Sequence, residues 1–290
     1  MDAPTDRAPD RSDTRRDREF SFDGADFERI RALIRREAGI ALADGKRDMV
    51  YSRVSRRLRA LGLASFRDYL DRLEAGSLQG EWEAFTNALT TNLTSFFREA
   101  HHFSVLADHL RGLPAGRPLR IWCCAASTGE EPWSLAITAC EVANSLSPPV
   151  EILATDIDTA VLQTAARAVY PIERIDGIEA DQRRRYFQRG TGANAGRCRV
   201  RPELQRLVRF MPLNLLGTWP PLDGPFDAIF CRNVMIYFDK PTQRQVLDRL
   251  IPQLAPGGLF FAGHSESFMH ALDLIRPCGR TVYRRAGDGA

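Results

Sequence analysis

The sequence predicts an α/β protein in which an all-helical N-terminal domain precedes a doubly wound domain with a mostly parallel sheet. Two patterns carry this prediction. Between residues 20 and 89, apolar residues recur every three or four positions, as on the buried face of helices. After residue 118, short apolar runs alternate with helical patterns, which is the order that builds a parallel sheet. Glycines around an alternating run also predict a small antiparallel β insertion at about residues 186–211.

Four helices account for the N-terminal domain, residues 20–90. The first has its apolar residues at helical spacing and stops at Gly39, and the second ends near Gly62. Ser65 is a typical N-cap for the third helix, and the fourth spans residues 82–89. Each helix therefore has an apolar face to bury against the others.

Two further segments flank the helical domain. Residues 1–19 alternate Asp and Arg with almost no apolar residue, so they are predicted to form a disordered arm. Residues 91–117 are predicted to link the helical domain to the second domain, residues 118–290. In that domain the strands are expected at residues 119–124, 151–155, 226–231 and 259–262, an antiparallel edge strand at 280–284, and crossover helices at 132–144, 159–168 and 240–253.

Composition limits the function classes. The chain has 290 residues, 44% of them hydrophobic, and a net charge of +3, so no global attraction to nucleic acid is expected. Its six cysteines form no Cys-x-x-Cys pair and its five histidines show no ligand spacing, so no metal site is predicted. No apolar run approaches the ~20 residues of a membrane span, and no signal-peptide core is evident. We therefore expect a cytoplasmic protein without membrane insertion, and a monomer by default.

The turn between the first predicted strand and the next helix is the most informative segment. Small residues there, including Ala126 and Gly129, let the backbone approach a ligand at the helix N-terminus. Glu130 and Glu131 would repel a phosphate and favour a ligand with a positive charge. S-adenosylmethionine meets that requirement better than NAD or ATP, and the Gly-x-Gly-x-x-Gly fingerprint of dinucleotide sites is absent. Alternatively, both acids are first-turn carboxylates that complement the helix dipole.

Asp156 ends the second predicted strand. It lies about 25 residues after the turn, where doubly wound folds place the acid that binds ribose hydroxyls. The alternative is a capping role for the helix that begins at Asp158 or Thr159, and both roles are compatible because two aspartates are present.

Polar residues also follow the strand predicted at residues 226–231. Arg232, Asn233 and Tyr237 would face the ligand crevice, because open α/β sheets bind ligands outside the carboxyl ends of their strands. Alternatively, Arg232 is a solvated loop charge and Tyr237 packs at the rim beside Phe238.

Six motifs, in this order along the chain, resemble those of the chemotaxis receptor methyltransferases of the CheR type. They are residues 91–99 (TNLTSFFRE), 126–132 (ASTGEEP), 154–158 (ATDID), 214–216 (NLL), 226–238 (FDAIFCRNVMIYF) and 257–266 (GGLFFAGHSE). The likeness covers about residues 20–285, with Trp133 where that family usually has Tyr. It implies a Rossmann-like methyltransferase domain that transfers a methyl group from S-adenosylmethionine to glutamate carboxylates of chemotaxis receptors.

The resemblance also implies roles for single residues in cofactor binding. Glu131 would hold the ammonium of the methionine moiety, and Asp156 would bind the ribose hydroxyls. Asn214 and Leu215 would border the adenine, with Asn233 nearby.

A second group would act at the transferred methyl group. Asn92, Thr94 and Arg98 would fold over the cofactor from the segment between the domains. Arg98, Arg232 and Tyr237 would orient the acceptor carboxylate, with the two arginines also contacting the cofactor. A glutamate carboxylate, with an unperturbed pKa of ~4.3, is already ionised at neutral pH, so its attack on a sulfonium methyl needs no general base.

Two surfaces are expected to recognise the receptor. A cluster on the second helix would dock acidic receptor helices, or would simply be a solvated face; it consists of Arg53, Arg56, Arg57 and Arg59. The insertion resembles that of family members that capture the C-terminal pentapeptide of receptors as an added strand. There the residues expected to contact the peptide are Arg189, Gly190, Gly192 and Arg199, and the alternative is an ordinary hairpin. Docking of this kind would recruit the enzyme to receptor arrays at the membrane.

Two other functions stay open at this point. One is a methyltransferase for nucleic acid or a small molecule, although the Asn/Asp-Pro-Pro-Tyr/Phe motif of amino methyltransferases is replaced by Arg232-Asn-Val-Met. The other is a non-catalytic S-adenosylmethionine-binding adaptor, against which the presence of Arg98, Arg232 and Tyr237 argues.

Overall fold

The computed structural model describes residues 18–114 and 116–288. Most of the predicted arm therefore lies outside the described residues. Its last two residues lie inside them, and both contact the helical domain. Arg18 donates to Asp48 at 2.7 Å, and Glu19 accepts a hydrogen bond from Arg59 at 2.6 Å.

The N-terminal domain has the helices that the sequence predicts. They are α1 Gly24–Ala38, α2 Arg47–Leu61, α3 Phe66–Glu74 and α4 Glu81–Leu89. Gly39 and Gly62 adopt the left-handed conformation at the ends of α1 and α2, and the Ser65 hydroxyl accepts the N–H of Asp68 at the start of α3. The apolar faces of the four helices form one buried cluster.

The segment 91–117, predicted as a linker, contains a further helix, α5 His101–Gly112. Its residues Phe103, Leu106 and Leu110 are buried in the same apolar cluster as the sheet of the second domain. This part of the segment is therefore helical and packs on the sheet of the second domain, and its role as a linker stays a prediction.

In chain order, the second domain continues with β1 Leu119–Cys123, α6 Glu130–Ala143, β2 Val150–Asp156, α7 Thr159–Arg167, β3 Val169–Pro171, α8 Ala180–Tyr186, β4 Phe187–Arg189, β5 Arg197–Val200, α9 Pro202–Gln205, β6 Val208–Pro212, β7 Phe226–Phe230, α10 Lys240–Leu250, β8 Leu254–Phe261, β9 Ile275–Gly279 and β10 Val282–Arg285.

Within the described residues, seven strands form the main sheet in the order β6-β2-β1-β7-β8-β10-β9. The first five are parallel, and β10 runs antiparallel to both of its neighbours. The chain builds outward from β1 through β2 to β6, then returns to place β7 on the other side of β1. The carboxyl ends of β1, β2 and β7 therefore meet where the strand order reverses, which is where such sheets bind ligands. The predicted α/β class is confirmed.

The small antiparallel sheet is present, but its boundaries differ from the prediction. It has the order β3-β5-β4 and thus begins near residue 169, not residue 186. Residues 208–212, predicted to belong to it, form β6 of the main sheet, where Val208 pairs with Ile152 of β2. An alternating sequence can belong to a strand of either sheet, so the sequence of β6 did not indicate which sheet it joins. The predicted edge strand at 280–284 corresponds to β10, and β9 lies outside it at the edge of the sheet.

In the described ranges no helix is both long and apolar enough to cross a membrane.

Candidate active site

A cleft opens at the carboxyl ends of β1, β2 and β7. The sheet forms its floor, and the segment after α4 and the loop between α1 and α2 form the opposite wall.

Asp156, at the end of β2, lies at the floor of this cleft and is buried. Its two carboxylate oxygens accept the backbone N–H groups of Ser127 at 2.8 Å and Asp158 at 2.9 Å. Burial raises the pKa of Asp156 to about 6, although these hydrogen bonds favour the ionised form. Asp156 thus connects the turn after β1 with the turn after β2.

The capping role falls to Asp158 instead of Asp156. One oxygen of Asp158 accepts the N–H groups of Ala160 and Val161 at the start of α7. The other accepts hydrogen bonds from the Thr90 hydroxyl at 2.6 Å and the Asn92 amide at 2.8 Å. Asp158 therefore caps α7 and also fixes the segment that crosses the cleft.

The two adjacent glutamates at the start of α6 have different surroundings. Glu130 is fully buried away from the cleft, where it forms an ion pair with Arg174 and accepts the Thr128 hydroxyl at 2.6 Å. Glu131 lines the cleft and accepts Arg232 Nη1 at 2.5 Å and the Cys123 thiol at 3.3 Å. Only Glu131 is therefore placed to meet a ligand.

Arg232 lies between two carboxylates. Its side chain is fully buried, and besides Glu131 it approaches Glu99 at 3.4 Å and donates to the carbonyl of Arg98 at 2.6 Å. Burial alone would raise the pKa of Glu99, but Arg232 and hydrogen bonds from His264 and Asn233 lower it to about 2. Arg232 is thus no solvated loop charge; it pairs with buried Glu131 at the cleft and lies near the partly buried Glu99.

The loop after β7 carries the other polar residues predicted there. Asn233 and Tyr237 both line the cleft, Asn233 with a positive φ of 57° and Tyr237 in the short 3-10 helix Met235–Tyr237. Tyr237 also packs against the apolar cluster on this side of the sheet, which includes Phe238.

The segment between α4 and α5 crosses the mouth of the cleft. Asn92, Thr94 and Arg98 all line it, and the guanidinium of Arg98 donates to the carbonyl of Leu93 at 2.8 Å. The segment is anchored beyond the cleft because the N–H of Phe97 donates to the Ser134 hydroxyl at 2.9 Å.

The helical domain supplies a wall that the sequence analysis did not predict. Residues 40–43, together with Lys46 and Met49, line the cleft. The N–H of Ala41 donates to the carbonyl of Tyr237 at 2.9 Å, and a Cβ at Gly39 would collide with Leu216. In the sequence, Gly39 predicts the end of α1 but not this close contact between the two domains.

The predicted cofactor residues divide into two groups. The structure brings together at the cleft Asn92, Thr94, Arg98, Glu131, Asp156, Asn214, Leu215, Arg232 and Asn233. Ala126 and Gly129 are not among the lining residues, whereas Ala125 and Ser127 are. Ala126 belongs to the buried core, and a Cβ at Gly129 would lie 2.7 Å from the Tyr170 hydroxyl. These two small residues therefore allow close packing below the turn.

Three of the four arginines predicted to dock a receptor have partners within the chain. Arg57 forms two hydrogen bonds with buried Glu81, at 2.9 and 2.7 Å, and Arg59 pairs with Glu19. Arg53 donates to the carbonyls of residues 88 and 90 at the end of α4. Arg56 is exposed, and its guanidinium has no partner among the described residues.

The predicted tail-binding residues lie on the small sheet. Arg189 and Arg199 are exposed, but Arg189 pairs with Cys198 and Arg199 with Gln188. Because neighbouring residues of a strand point to opposite faces, the two arginines lie on opposite faces of the sheet. They cannot both contact one acidic side chain. Gly190 approaches the backbone of Asn194 too closely for a Cβ, and Gly192 has a positive φ of 57°.

Comparison with known proteins identifies the family. A family model described as "CheR methyltransferase, SAM binding domain" matches residues 92–284, and one described as "CheR methyltransferase, all-alpha domain" matches residues 25–90. The chain belongs to the CheR methyltransferase family. It is therefore an S-adenosylmethionine-dependent methyltransferase.

The relatives that are more than half identical to the chain include two chemotaxis methyltransferases. "Chemotaxis protein methyltransferase 2" of Pseudomonas aeruginosa is 55% identical over 269 residues, which cover 92% of this chain and 95% of that protein. "Chemotaxis protein methyltransferase" of Escherichia coli is 52% identical over 269 residues, with 93% of each chain covered.

The donor set of the cleft fits the cofactor of a CheR enzyme. S-adenosylmethionine carries an ammonium, a carboxylate, a ribose diol and a sulfonium. The cleft offers carboxylates at Glu131 and Asp156, which suit the ammonium and the ribose diol. No group of three or more His, Cys, Asp or Glu side chains is arranged to hold a metal in residues 18–114 and 116–288.

Proposed function

We propose that this enzyme methylates glutamate side-chain carboxylates of methyl-accepting chemotaxis receptors and forms glutamate methyl esters. The observation that carries the proposal is that Arg98 and Tyr237 line the same cleft as Glu131 and Asp156. Arg98 and Tyr237 suit an anionic acceptor. Glu131 and Asp156 suit a ligand with an ammonium and a diol. The names of the relatives, chemotaxis protein methyltransferases, support a receptor as the acceptor.

The cofactor, when bound, supplies an electrophilic methyl group on a sulfonium. Glu131 and Asp156 hold the ammonium and the ribose, and Arg98 and Tyr237 orient the incoming carboxylate. Orientation of two bound reactants can lower a barrier by roughly 7–11 kcal/mol. Tyr237 suits this role because a neutral hydroxyl orients a carboxylate without the ground-state stabilisation of a strong ion pair.

A carboxylate acceptor fits this cleft better than an amine. An amine must lose a proton before it accepts a methyl group, whereas a glutamate carboxylate is already ionised. Among the described lining residues there is no histidine, Glu131 is paired with Arg232, and both oxygens of Asp156 accept backbone N–H groups. None of these groups is free to act as the base that an amine would require.

Receptor docking is proposed for the cations that remain free beside the cleft. Lys46 lines the cleft at the start of α2, and Arg56 is exposed in the second half of the same helix. Neither side chain has a hydrogen-bond or ion-pair partner among the described residues. These two cations, instead of the whole arginine cluster, would attract acidic receptor helices.

Tail capture is proposed at the edge of the small sheet. Within the described residues, β4 pairs only with β5, so its outer edge has unpaired backbone groups. A receptor C-terminal pentapeptide would add there as a strand, with Arg189 next to it. In this proposal the enzyme is a cytoplasmic monomer recruited to receptor arrays.

Transfer of a radiolabelled methyl group from S-adenosylmethionine to receptor-containing membranes, followed by mild base, tests the function. Label released as methanol identifies carboxyl methyl esters, and Glu131→Gln serves as the inactive control. Base-stable label would instead place the acceptor at nitrogen or carbon. Tight cofactor binding without any transfer, with receptors of several species, would favour an adaptor.

A further inference from the structure

Glu266, which follows β8, has no role in cofactor or acceptor binding in the preceding account. Its side chain is buried, with 6% of the residue exposed. Oε1 accepts the backbone N–H groups of Met235 at 2.8 Å and Ile236 at 3.3 Å. Oε2 accepts those of Asn233 at 3.1 Å and Gly263 at 2.5 Å. Three of these four N–H groups belong to the loop after β7.

This loop contains a left-handed residue and a tight turn. Asn233 has a positive φ of 57°, and residues 235–237 form a single 3-10 turn. A Cβ at Gly263 would collide with the Asn233 amide, so the loop is also pressed against the segment that leads to Glu266. A conformation of this kind persists only where its surroundings hold it.

Gln243 of α10 holds the same loop from its other side. Its side-chain amide donates to the carbonyl of Met235 at 2.8 Å and to that of Phe238 at 3.2 Å. One side chain thus binds the N–H groups of the loop, and another binds its carbonyls. The same loop carries Arg232, Asn233 and Tyr237, which line the cleft.

We propose that Glu266 is a positioning residue for methyl transfer, which holds the loop 232–237 so that Tyr237 and Arg232 face the reacting groups, with Gln243 as its counterpart. Glu266 does not touch cofactor or acceptor and acts through the loop. The inference deepens the proposed function and depends on it for the methyl-transfer assay only.

The variant Glu266→Gln keeps the size of the side chain but not its pattern of acceptors. A carboxylate offers two oxygens, each of which accepts two N–H groups here. A glutamine offers one oxygen, and its NH₂ group would face two backbone N–H donors. In either orientation, half of the contacts therefore become repulsive and the loop shifts. A shift of about 1 Å at a reacting group costs on the order of 100-fold in rate.

A matched control lies on β7, the strand that leads into this loop. Asp227 of β7 is also a buried carboxylate with 1% of the residue exposed, and it accepts Arg117 and the N–H of Arg120 at the end of the strand away from the loop. Asp227→Asn removes a comparable buried acceptor without touching the loop. It should lower the melting temperature and leave kcat within about twofold of the wild type, the range in which a distant site acts independently.

Single-turnover methyl transfer is measured for the wild type, Glu266→Gln, Tyr237→Phe and the double variant. If Glu266 acts through Tyr237, the double variant is no slower than Glu266→Gln alone. Losses that multiply, or a folded Glu266→Gln with wild-type kcat, overturn the proposal. If Glu266→Gln does not fold, Gln243→Met enters the same cycle and is judged by the same two outcomes.

Calorimetric binding of S-adenosylhomocysteine gives a readout that needs no acceptor. Because the loop begins at Arg232, which pairs with Glu131, Glu266→Gln should weaken binding about tenfold, the scale of one charge-assisted hydrogen bond. Asp227→Asn should not change it. Equal affinities for Glu266→Gln and the wild type overturn the proposal even if no receptor is methylated, whereas an inactive wild type refutes only the proposed acceptor.

Discussion

The two walls of the cleft are built in different ways. The sheet side places charged groups under the ligand and holds them through a network in which Arg232 pairs with Glu131 and lies near Glu99. The helical side consists of residues 40–43 with Lys46 and Met49. One of its contacts with the sheet domain is the hydrogen bond from the N–H of Ala41 to the carbonyl of Tyr237. The sheet side determines the chemistry, and the helical side limits access to it.

This difference decides where substitutions should act. On the sheet side, a buried charge that loses its partner costs several kcal/mol, because water cannot replace the partner. On the helical side, an exposed charge contributes little to stability and acts mainly on the encounter with a partner. Substitutions on the sheet side should therefore change cofactor binding and turnover, and those on the helical side should change receptor binding.

The largest effect is expected for Glu131→Gln. Removal of one partner from a buried charge pair typically costs about 2–5 kcal/mol, so cofactor affinity should fall on the order of 100-fold. The control is Glu130→Gln, since Glu130 adjoins it but pairs with Arg174. That variant should lower the melting temperature and change the cofactor Kd less than threefold. Equal losses of affinity in calorimetry would mean that the two acids do not differ in function.

A smaller effect is expected for Tyr237→Phe, which removes a hydroxyl and keeps the ring packed. The loss of one orienting hydrogen bond should lower kcat about tenfold. Because Tyr237 is proposed to contact the acceptor carboxylate, the Kd for cofactor should stay normal. Rapid-quench transfer and equilibrium binding separate the two quantities. Unchanged turnover would restrict Tyr237 to packing at the rim of the cleft.

Asp156 should make cofactor binding depend on pH. Burial raises its pKa to about 6, and a protonated carboxyl would place its O–H against the N–H of Ser127 or Asp158. The affinity should therefore be nearly constant above pH 7 and fall about tenfold between pH 7 and pH 5, with a flat profile in Asp156→Asn. A flat wild-type profile would contradict this role.

The stability of the ligand-free protein should depend on the same group with the opposite sign. The folded-state pKa of Asp156 lies above the ordinary value of 3.8, so the folded state binds the proton more tightly than the unfolded chain. The contribution of Asp156 to the free energy of unfolding thus rises as pH falls from about 7 towards 4. Denaturation of the Asp156→Asn variant over this range isolates that contribution.

The sequence predicted the sheet side better than the helical side, for a physical reason. Glu131, Asp156 and Arg232 stand directly after strands or at a helix start, and the ends of parallel strands meet wherever the sheet folds. The wall at residues 40–43 depends on how two domains pack, which no periodicity reveals. The same limit explains the arginines of α2. Their spacing predicted a shared surface, but only the fold shows that Arg57 is paired with Glu81.

The smallest expected effect concerns the helical side, and it tests the proposed docking of receptors there most directly. Arg56 on α2 is exposed without a partner among the described residues, and the start of the same helix lines the cleft. Arg56→Glu should raise the KM for receptor about threefold at low salt and leave the cofactor Kd unchanged, since an exposed charge acts mainly on encounter.

High salt should remove that difference, because the Debye length falls to about 3 Å at 1 M ionic strength. The matched control is Arg67→Glu on α3, which makes the same charge reversal at an exposed residue away from the lining of the cleft. If both variants raise KM equally, only the net charge of the domain matters. If only Arg56→Glu does so, receptors approach along α2, and the helical wall selects what the sheet side methylates.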